Sequence, residues 1–247
     1  MNMRNLRITV EFDGSRYKGW QKQKEGIPTI QDKIEKVLSK MTGEEIQVIG
    51  CGRTDAGVHA ENYTANFHTE STLSVDAMLE YLYEYLPEDI VVKAMKDTSE
   101  RFHARYKVKA KTYVYRINNN RFRNVFNRRY VYHSDVRLDI SRMKDAAEVL
   151  IGTHDFQSFT SMKSDSKSTV RTINSIDITE KDGLIEVEVN GNSFLLNMVR
   201  IIVGTLMDAG KGELEPGDVA RILEEKKRSE AGPIAQAKGL CLKNIEY

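Results

Sequence analysis

The residues best suited to chemistry lie in one short stretch, Gly50-Cys51-Gly52-Arg53-Thr54-Asp55-Ala56-Gly57-Val58-His59-Ala60. Its glycines admit positive φ angles and close approach by a ligand, so Asp55 is presented on a tight polar loop between two predicted strands, where active sites are often built. A carboxylate held this way can serve as a nucleophile or a general base. The same residues also describe a local ion pair between Arg53 and Asp55 or an Asx turn, and residue type alone leaves both readings open. Cys51 touches the stretch without a paired base, which argues against a thiolate nucleophile. His59, His68, His103, His133 and His154 form no metal-ligand spacing with Cys51 and Cys241, the two cysteines of the chain.

Two further side chains stand out. Arg200 sits among Leu195, Leu196, Met198, Val199, Ile201 and Ile202, where a buried guanidinium is costly without a carboxylate nearby, and Asp55 is the nominee. Tyr113 falls in an alternating stretch and, on spacing alone, reads as a core or cross-strand residue.

The elements that must position these groups follow from periodicity. Leu6, Ile8, Val10 and Phe12 alternate with polar residues as a half-buried strand does, ending at Asp13-Gly14. Thr29 and Gly43 bracket a helix with Ile30, Ile34, Val37, Leu38 and Met41 on its apolar face. Ile46, Val48 and Gly50 predict a second strand and Ala60 to Thr69 a third. Val75 to Leu86 predicts a helix stopped by Pro87, and Ile90 to Ala94 a fourth strand. The order β-α-β-β-α-β is the ferredoxin-like plan.

The remainder repeats that plan with insertions: a strand over Lys109–Ile117, a helix from Ile140 to Leu150, a hairpin through Lys181-Asp182-Gly183, an apolar helix over Phe194–Met207, a short helix over Val219–Glu225 and a closing strand over Leu240–Ile245. The expected fold class is α+β, with two ferredoxin-like (RRM-like) halves, 1–104 and 105–247, whose antiparallel sheets meet at a central cleft. The first half carries the Asp55 loop and the second carries Tyr113 and Arg200.

With 247 residues, 40% hydrophobic and 30% charged, the chain can bury a substantial core. Two cysteines make no disulfide framework. No apolar run approaches the roughly 20 residues that span a bilayer, and Met1-Asn2-Met3-Arg4-Asn5 carries no apolar signal segment, so a soluble cytoplasmic protein is expected. The net charge of +1 excludes a uniformly basic polyanion binder. Its distribution is uneven, however. Arg101 to Arg129 contains no Asp or Glu but holds Arg105, Lys109, Lys111, Arg121 and Arg123, interleaved with Phe102, Tyr106, Tyr113, Tyr115, Phe122 and Phe126. Cations interleaved with aromatic rings suit RNA, whose phosphates and unstacked bases they engage. The segment from Glu70 to Glu100 carries the opposite, acidic bias.

The run Gly52-Arg53-Thr54-Asp55-Ala56-Gly57-Val58-His59-Ala60 resembles the signature loop of the tRNA pseudouridine synthase A family. The likeness extends in order along the chain: Phe12-Asp13-Gly14, Gly19-Trp20-Gln21, Thr29-Ile30-Gln31, Phe102-His103-Ala104-Arg105-Tyr106, Lys111-Thr112-Tyr113-Val114-Tyr115, Gly152-Thr153-His154-Asp155-Phe156, Val170-Arg171-Thr172-Ile173, Met198-Val199-Arg200 and Gly239-Leu240. The resemblance implies an isomerase that converts uridine to pseudouridine in the anticodon stem-loop of tRNA, at positions 38, 39 and 40. Asp55 would be the catalytic carboxylate, Tyr113 would stack on the extruded uracil, Arg200 would pair with Asp55, and Arg53 would assist extrusion or bind the backbone. It further implies a homodimer, tRNA as partner, and neither metal nor organic cofactor.

Three segments depart from the family pattern. Lys107-Val108 stands where a small pair is common, Leu196-Asn197 replaces a frequent His pair, and Ile234-Ala235-Gln236-Ala237 lacks a proline often found there. The rival readings are a synthase for another RNA, a non-catalytic RNA-binding module, and a phosphoryl-transfer hydrolase. The last would want a phosphate-cradling loop and metal-binding carboxylates that do not accompany Asp55.

Overall fold

A computed structural model describes residues 3–162 and 168–247. Met1 and Asn2, at the head of the stretch read for a signal segment, lie outside them. The chain is α+β and divides into two compact units, Met1–Lys109 with Leu242–Tyr247, and Ala110–Cys241.

The first unit runs β1 (Arg4–Phe12), α1 (Ile30–Thr42), β2 (Ile49–Gly50), β3 (His59–Thr69), α2 (Val75–Tyr85) and β4 (Ile90–Thr98). β1 lies between β4 and β3, antiparallel to both, and β2 pairs with β3. Alternation on β1 sends Leu6, Ile8 and Val10 fully into the core, opposite Phe67, Ala65 and Tyr63 of β3. α1 starts where the Thr29 hydroxyl accepts from the Asp32 N–H and stops at Gly43, whose φ of 73° is the left-handed conformation that a helix C-cap takes.

β2 is shorter than the expected strand from Ile46 to Gly50. Side chains of α1 take the place of a ladder there: the Ile46 N–H donates to Ser39 Oγ (3.0 Å) and the Val48 N–H to Glu35 Oε1 (2.9 Å). The buried face of α1 consequently includes Gln31 and Glu35. Gln31 Nε2 donates to Glu35 Oε1 (2.8 Å) and to the Val48 carbonyl (3.1 Å), and Lys22 closes the network on Glu35 Oε2 (3.0 Å).

The second unit runs β5 (Ala110–Asn118), β6 (Tyr132–His133), α3 (Ile140–Glu148), β7 (Gly152–Asp155), β8 (Val170–Lys181), β9 (Leu184–Gly191), α4 (Met198–Lys211) and α5 (Asp218–Glu225). The final strand, β10 (Leu240–Glu246), begins in this unit and ends in the first. β5, β9, β8 and β7 are consecutive antiparallel neighbours, and β6 joins β5 in parallel. Asp182 (φ 52°) and Gly183 (φ 74°) turn β8 into β9, the pair of positive φ angles that a tight hairpin demands.

α4 opens at Met198, four residues after the expected start at Phe194, because Asn197 adopts the left-handed region (φ 60°) and breaks the helical path. Its body is buried: Ile201, Ile202, Val203, Gly204 and Leu206 are all solvent-excluded. The segment Gly232–Ala235 lies directly on it, with the Gly232 N–H donating to Thr205 Oγ1 (2.9 Å). A side chain on Gly204 would collide with the Pro233 carbonyl, which is backbone and cannot swing away. Gly204→Ala is therefore expected to lower unfolding free energy in urea by about 1–3 kcal/mol, despite alanine's better helix propensity.

Candidate functional site

The Asp55 loop is held from below by aromatic packing and from the side by backbone. Trp20, Tyr63 and Phe12 form a buried cluster in which Trp20 stacks on Tyr63 at 3.8 Å between ring centroids. The Tyr63 hydroxyl donates to the Gly52 carbonyl and accepts from the Gly52 N–H. One buried phenol thus clamps both backbone groups of a single loop residue. Gly50 fits because a Cβ there would strike the Tyr63 hydroxyl and the Trp20 indole.

On the other side the chain from Tyr17 to Trp20 runs along the loop. The Gly57 N–H donates to the Tyr17 carbonyl (3.3 Å) and the Trp20 N–H to the Thr54 carbonyl (3.4 Å). Gly19 (φ 91°) permits this approach, since a side chain there would meet the Thr54 carbonyl. Asp55 to Val58 closes as a β-turn, the Val58 N–H donating to the Asp55 carbonyl (3.2 Å) and Gly57 taking a φ of 79° at the position that needs glycine. The Asp55 side chain is half-buried and Arg53 is exposed. Thr54, directly before the aspartate, is buried, and its hydroxyl has no hydrogen-bond partner among the described residues.

The base of the loop is polar. His59 Nδ1 accepts from the Gly14 N–H (3.1 Å), beside an Asp13 carboxylate oxygen at 3.1 Å. Tyr17 donates to Asp89 Oδ1 (2.7 Å), and Arg16 binds Asp89 Oδ2 (2.6 Å). Burial, reinforced by the neighbouring Asp89 carboxylate, pushes the Tyr17 phenol well above its usual range, so it stays a donor at any physiological pH.

The second unit carries Tyr113 and Arg200. Tyr113 lies on β5 opposite Val189, buried, with the ring of Phe194 set edge-on at 5.3 Å. Two residues on, Tyr115 shares its face of the strand and donates to the Gln236 carbonyl (2.9 Å). Burial raises the Tyr115 phenol, with Tyr132 adding to the shift and the Arg200 charge opposing it. Arg200, half-buried in the first turn of α4, donates from Nε to the Ala235 carbonyl (2.7 Å) and from Nη1 to Asn197 Oδ1 (2.9 Å). Asp55 and Arg53 thus belong to the first unit, and Tyr113 and Arg200 to the second.

Of the basic candidates, Arg105, Lys109, Arg121 and Arg123 are exposed and Lys111 is half-buried. Arg116, in the same segment, is spent on Glu186 (2.8 Å). Phe122, Val125 and Phe126 are exposed between Arg121 and Arg128, with the Arg121 guanidinium 5.1 Å from the Phe122 ring. Among the described residues no group of three or more His, Cys, Asp or Glu could hold a metal, and no helix is long and apolar enough to cross a membrane. Trp20 stands in the sequence only within the Gly19-Trp20-Gln21 motif, and Tyr63 only within the strand expected from Ala60 to Thr69. Their joint hold on Gly52 has no signal in spacing, because a strand tyrosine facing the core looks the same whether or not its hydroxyl is used.

Comparison with known proteins identifies the family. The family model described as tRNA pseudouridine synthase matches residues 8–107 and 146–247, a span that includes Asp55 and Arg200. The tRNA pseudouridine synthase A 1 of Clostridium tetani is 69% identical over 245 residues, covering 99% of this chain and 100% of its own. The tRNA pseudouridine synthase A 2 of Bacillus cereus is 46% identical over 245 residues with the same coverage, and the tRNA pseudouridine synthase A of Bacillus sp. KSM-64 is also 46% identical over 245 residues. The chain belongs to the tRNA pseudouridine synthase family, and its chemistry is that of an isomerase. Among solved structures, a Cbf5-Nop10-Gar1 complex aligns with a TM-score of 0.37 and 11% identity over 96% of this chain and 48% of that one.

The clamp on Gly52 generates a prediction. Tyr63→Phe keeps the ring stacked on Trp20 but removes the partner of two half-buried backbone groups, so unfolding free energy should drop by about 1 kcal/mol. Turnover should fall as well, because the loop bearing Asp55 loses its brace. Urea unfolding and single-turnover kinetics check the two effects separately.

Proposed function

We propose that this isomerase converts uridine to pseudouridine in the anticodon stem-loop of tRNA, with Asp55 as the carboxylate that acts on the target nucleoside. The observation that carries the reading is the Asp55 turn itself: a charged residue on a loop whose main chain is fixed by Tyr63, Tyr17 and Trp20. In the family's reaction the bond from N1 to C1′ breaks, the uracil turns, C5 bonds to C1′, the C5 proton leaves and N1 takes up a proton. No redox partner is needed, but the detached uracil must be kept until it rebonds, which favours a water-poor site. Removing a base from a stacked stem costs a few kcal/mol, which contacts with the protein offset.

Within this proposal Tyr113 stacks on the flipped uracil and is the candidate for removing the C5 proton. Arg200 is the proposed cationic partner of Asp55, and Arg53 assists extrusion or binds backbone. The strand order β4-β1-β3-β2 supports a ferredoxin-like plan for the first half. The assignment of residues 1–104 and 105–247 to two such halves belongs to the same reading. A homodimer acting on one tRNA, cytoplasmic location, and catalysis without metal or organic cofactor complete it.

Asp55→Ala should reduce tritium release from tRNA labelled at uridine C5 by roughly a thousandfold or more, while gel-shift affinity for the same tRNA is retained. Near-normal release would remove Asp55 from the mechanism. For the exposed cations, Arg121→Ala combined with Arg123→Ala should weaken tRNA binding and flatten its dependence on salt by about one unit of log–log slope for each phosphate that is no longer neutralised. An unchanged slope would place both residues off the RNA path.

A further inference from the structure

We infer that Asn197 is a positioning residue for the reaction, fixing the Arg200 guanidinium through its side-chain carbonyl. The inference rests on the role given to Arg200 above. Asn197 occupies the N-cap position of α4, where an asparagine oxygen ordinarily accepts a backbone N–H from the first turn. Here it makes no such bond. Its left-handed backbone (φ 60°, ψ 6°) turns the side chain away from the helix end, and Oδ1 accepts instead from Arg200 Nη1 at 2.9 Å. The amide is oriented at its other end by Nδ2, which donates to Ser161 Oγ at 3.1 Å.

The backbone of the same corner is itself pinned. The Leu196 carbonyl accepts from the Ser161 N–H (3.2 Å) and from Thr160 Oγ1 (3.1 Å), and the Asn197 carbonyl accepts from the Ile201 N–H (2.9 Å). Asparagine is among the few residues with a side chain that take this conformation readily, so one residue supplies both the turn that starts α4 and the acceptor for Arg200.

The second hold on the guanidinium comes from main chain. Nε donates to the Ala235 carbonyl, and the Ala235 N–H returns a bond to the Arg200 carbonyl (3.1 Å). Two acceptors on Nε and Nη1 fix both the plane of the group and its rotation within that plane, because the guanidinium is rigid. At Ala235 only the backbone is used, so the side chain is free to vary. At position 197 the acceptor is a side chain, so its identity matters.

Asn197→Gly tests the role, since glycine keeps the left-handed turn and removes only the acceptor. The expected result is a fall in kcat on the order of tenfold to a hundredfold, with KM for tRNA and the thermal midpoint little changed. Asn197→Asp, whose carboxylate oxygen still accepts from Nη1, should recover most of the missing rate, and Asn197→Gly should cost nothing further in an Arg200→Lys background. Full kcat in Asn197→Gly, equal losses in the Gly and Asp variants, or losses that multiply with Arg200→Lys would each overturn the proposal. Should the Gly variant not fold, a loss of more than about tenfold in a folded Asp variant overturns it equally. An inactive Asp55→Ala beside a fully active Asn197→Gly would remove only the positioning role, whereas an active Asp55→Ala would remove the catalytic reading beneath it.

Discussion

A single phenol hydroxyl, that of Tyr63, sits beneath the loop on which the proposed chemistry depends. It engages both the carbonyl and the N–H of Gly52, which is half-shielded from solvent. The hydroxyl can do this only because its ring is immobilised by Trp20, and Trp20 in turn is anchored by the chain leading into α1, whose Ile30 and Gln31 N–H groups donate to the carbonyls of Gly19 and Trp20. Loop, aromatic pair and helix start therefore stand or fall together. A carboxylate that must meet a nucleotide within a fraction of an ångström gains more from such support than from any contact of its own side chain.

The second unit solves a similar problem differently. Arg200 emerges from the first turn of a helix that is otherwise almost wholly apolar, and a charge there needs acceptors that cannot move. Packing supplies one: the approach of Gly232 to Ala235 against Gly204 and Thr205 is close enough that neither backbone has room to shift, so the Ala235 carbonyl is a fixed point. The left-handed turn at Asn197 supplies the other, the side-chain carbonyl that accepts from Arg200 Nη1. In both units glycine appears where main chain must come close to main chain.

Much of the framework was legible because it is written in local chemistry. Thr29 and Gly43 mark the ends of α1, the alternation of Leu6, Ile8 and Val10 marks β1, and Asp182-Gly183 marks a hairpin; each signal acts over a few residues and needs no knowledge of the rest of the chain. Asp55 was conspicuous for the same reason, being a charged residue among glycines between strands. What could not be read depends on distant partners. Gln31 and Glu35 look like solvent-facing residues until the strand-like stretch at Ile46–Val48 is laid against them. The late start of α4 depends on Asn197, whose turn is held by Thr160 and Ser161, remote in sequence. The shared duty of Trp20 and Tyr63 is a matter of three-dimensional neighbours, which periodicity does not encode.

The last strand has a bearing on how the molecule comes to be made. The first compact unit is assembled from residues up to Lys109 together with Leu242–Tyr247, and the Tyr247 hydroxyl bonds the Ala104 carbonyl at 2.8 Å while its ring lies 4.6 Å from the Arg7 guanidinium. During synthesis residues up to Lys109 cannot complete their unit until Leu242–Tyr247 has been made, although the chain between can already collapse. Until then the nascent chain carries the first unit unfinished, a longer exposure than a domain closed by its own contiguous residues would face.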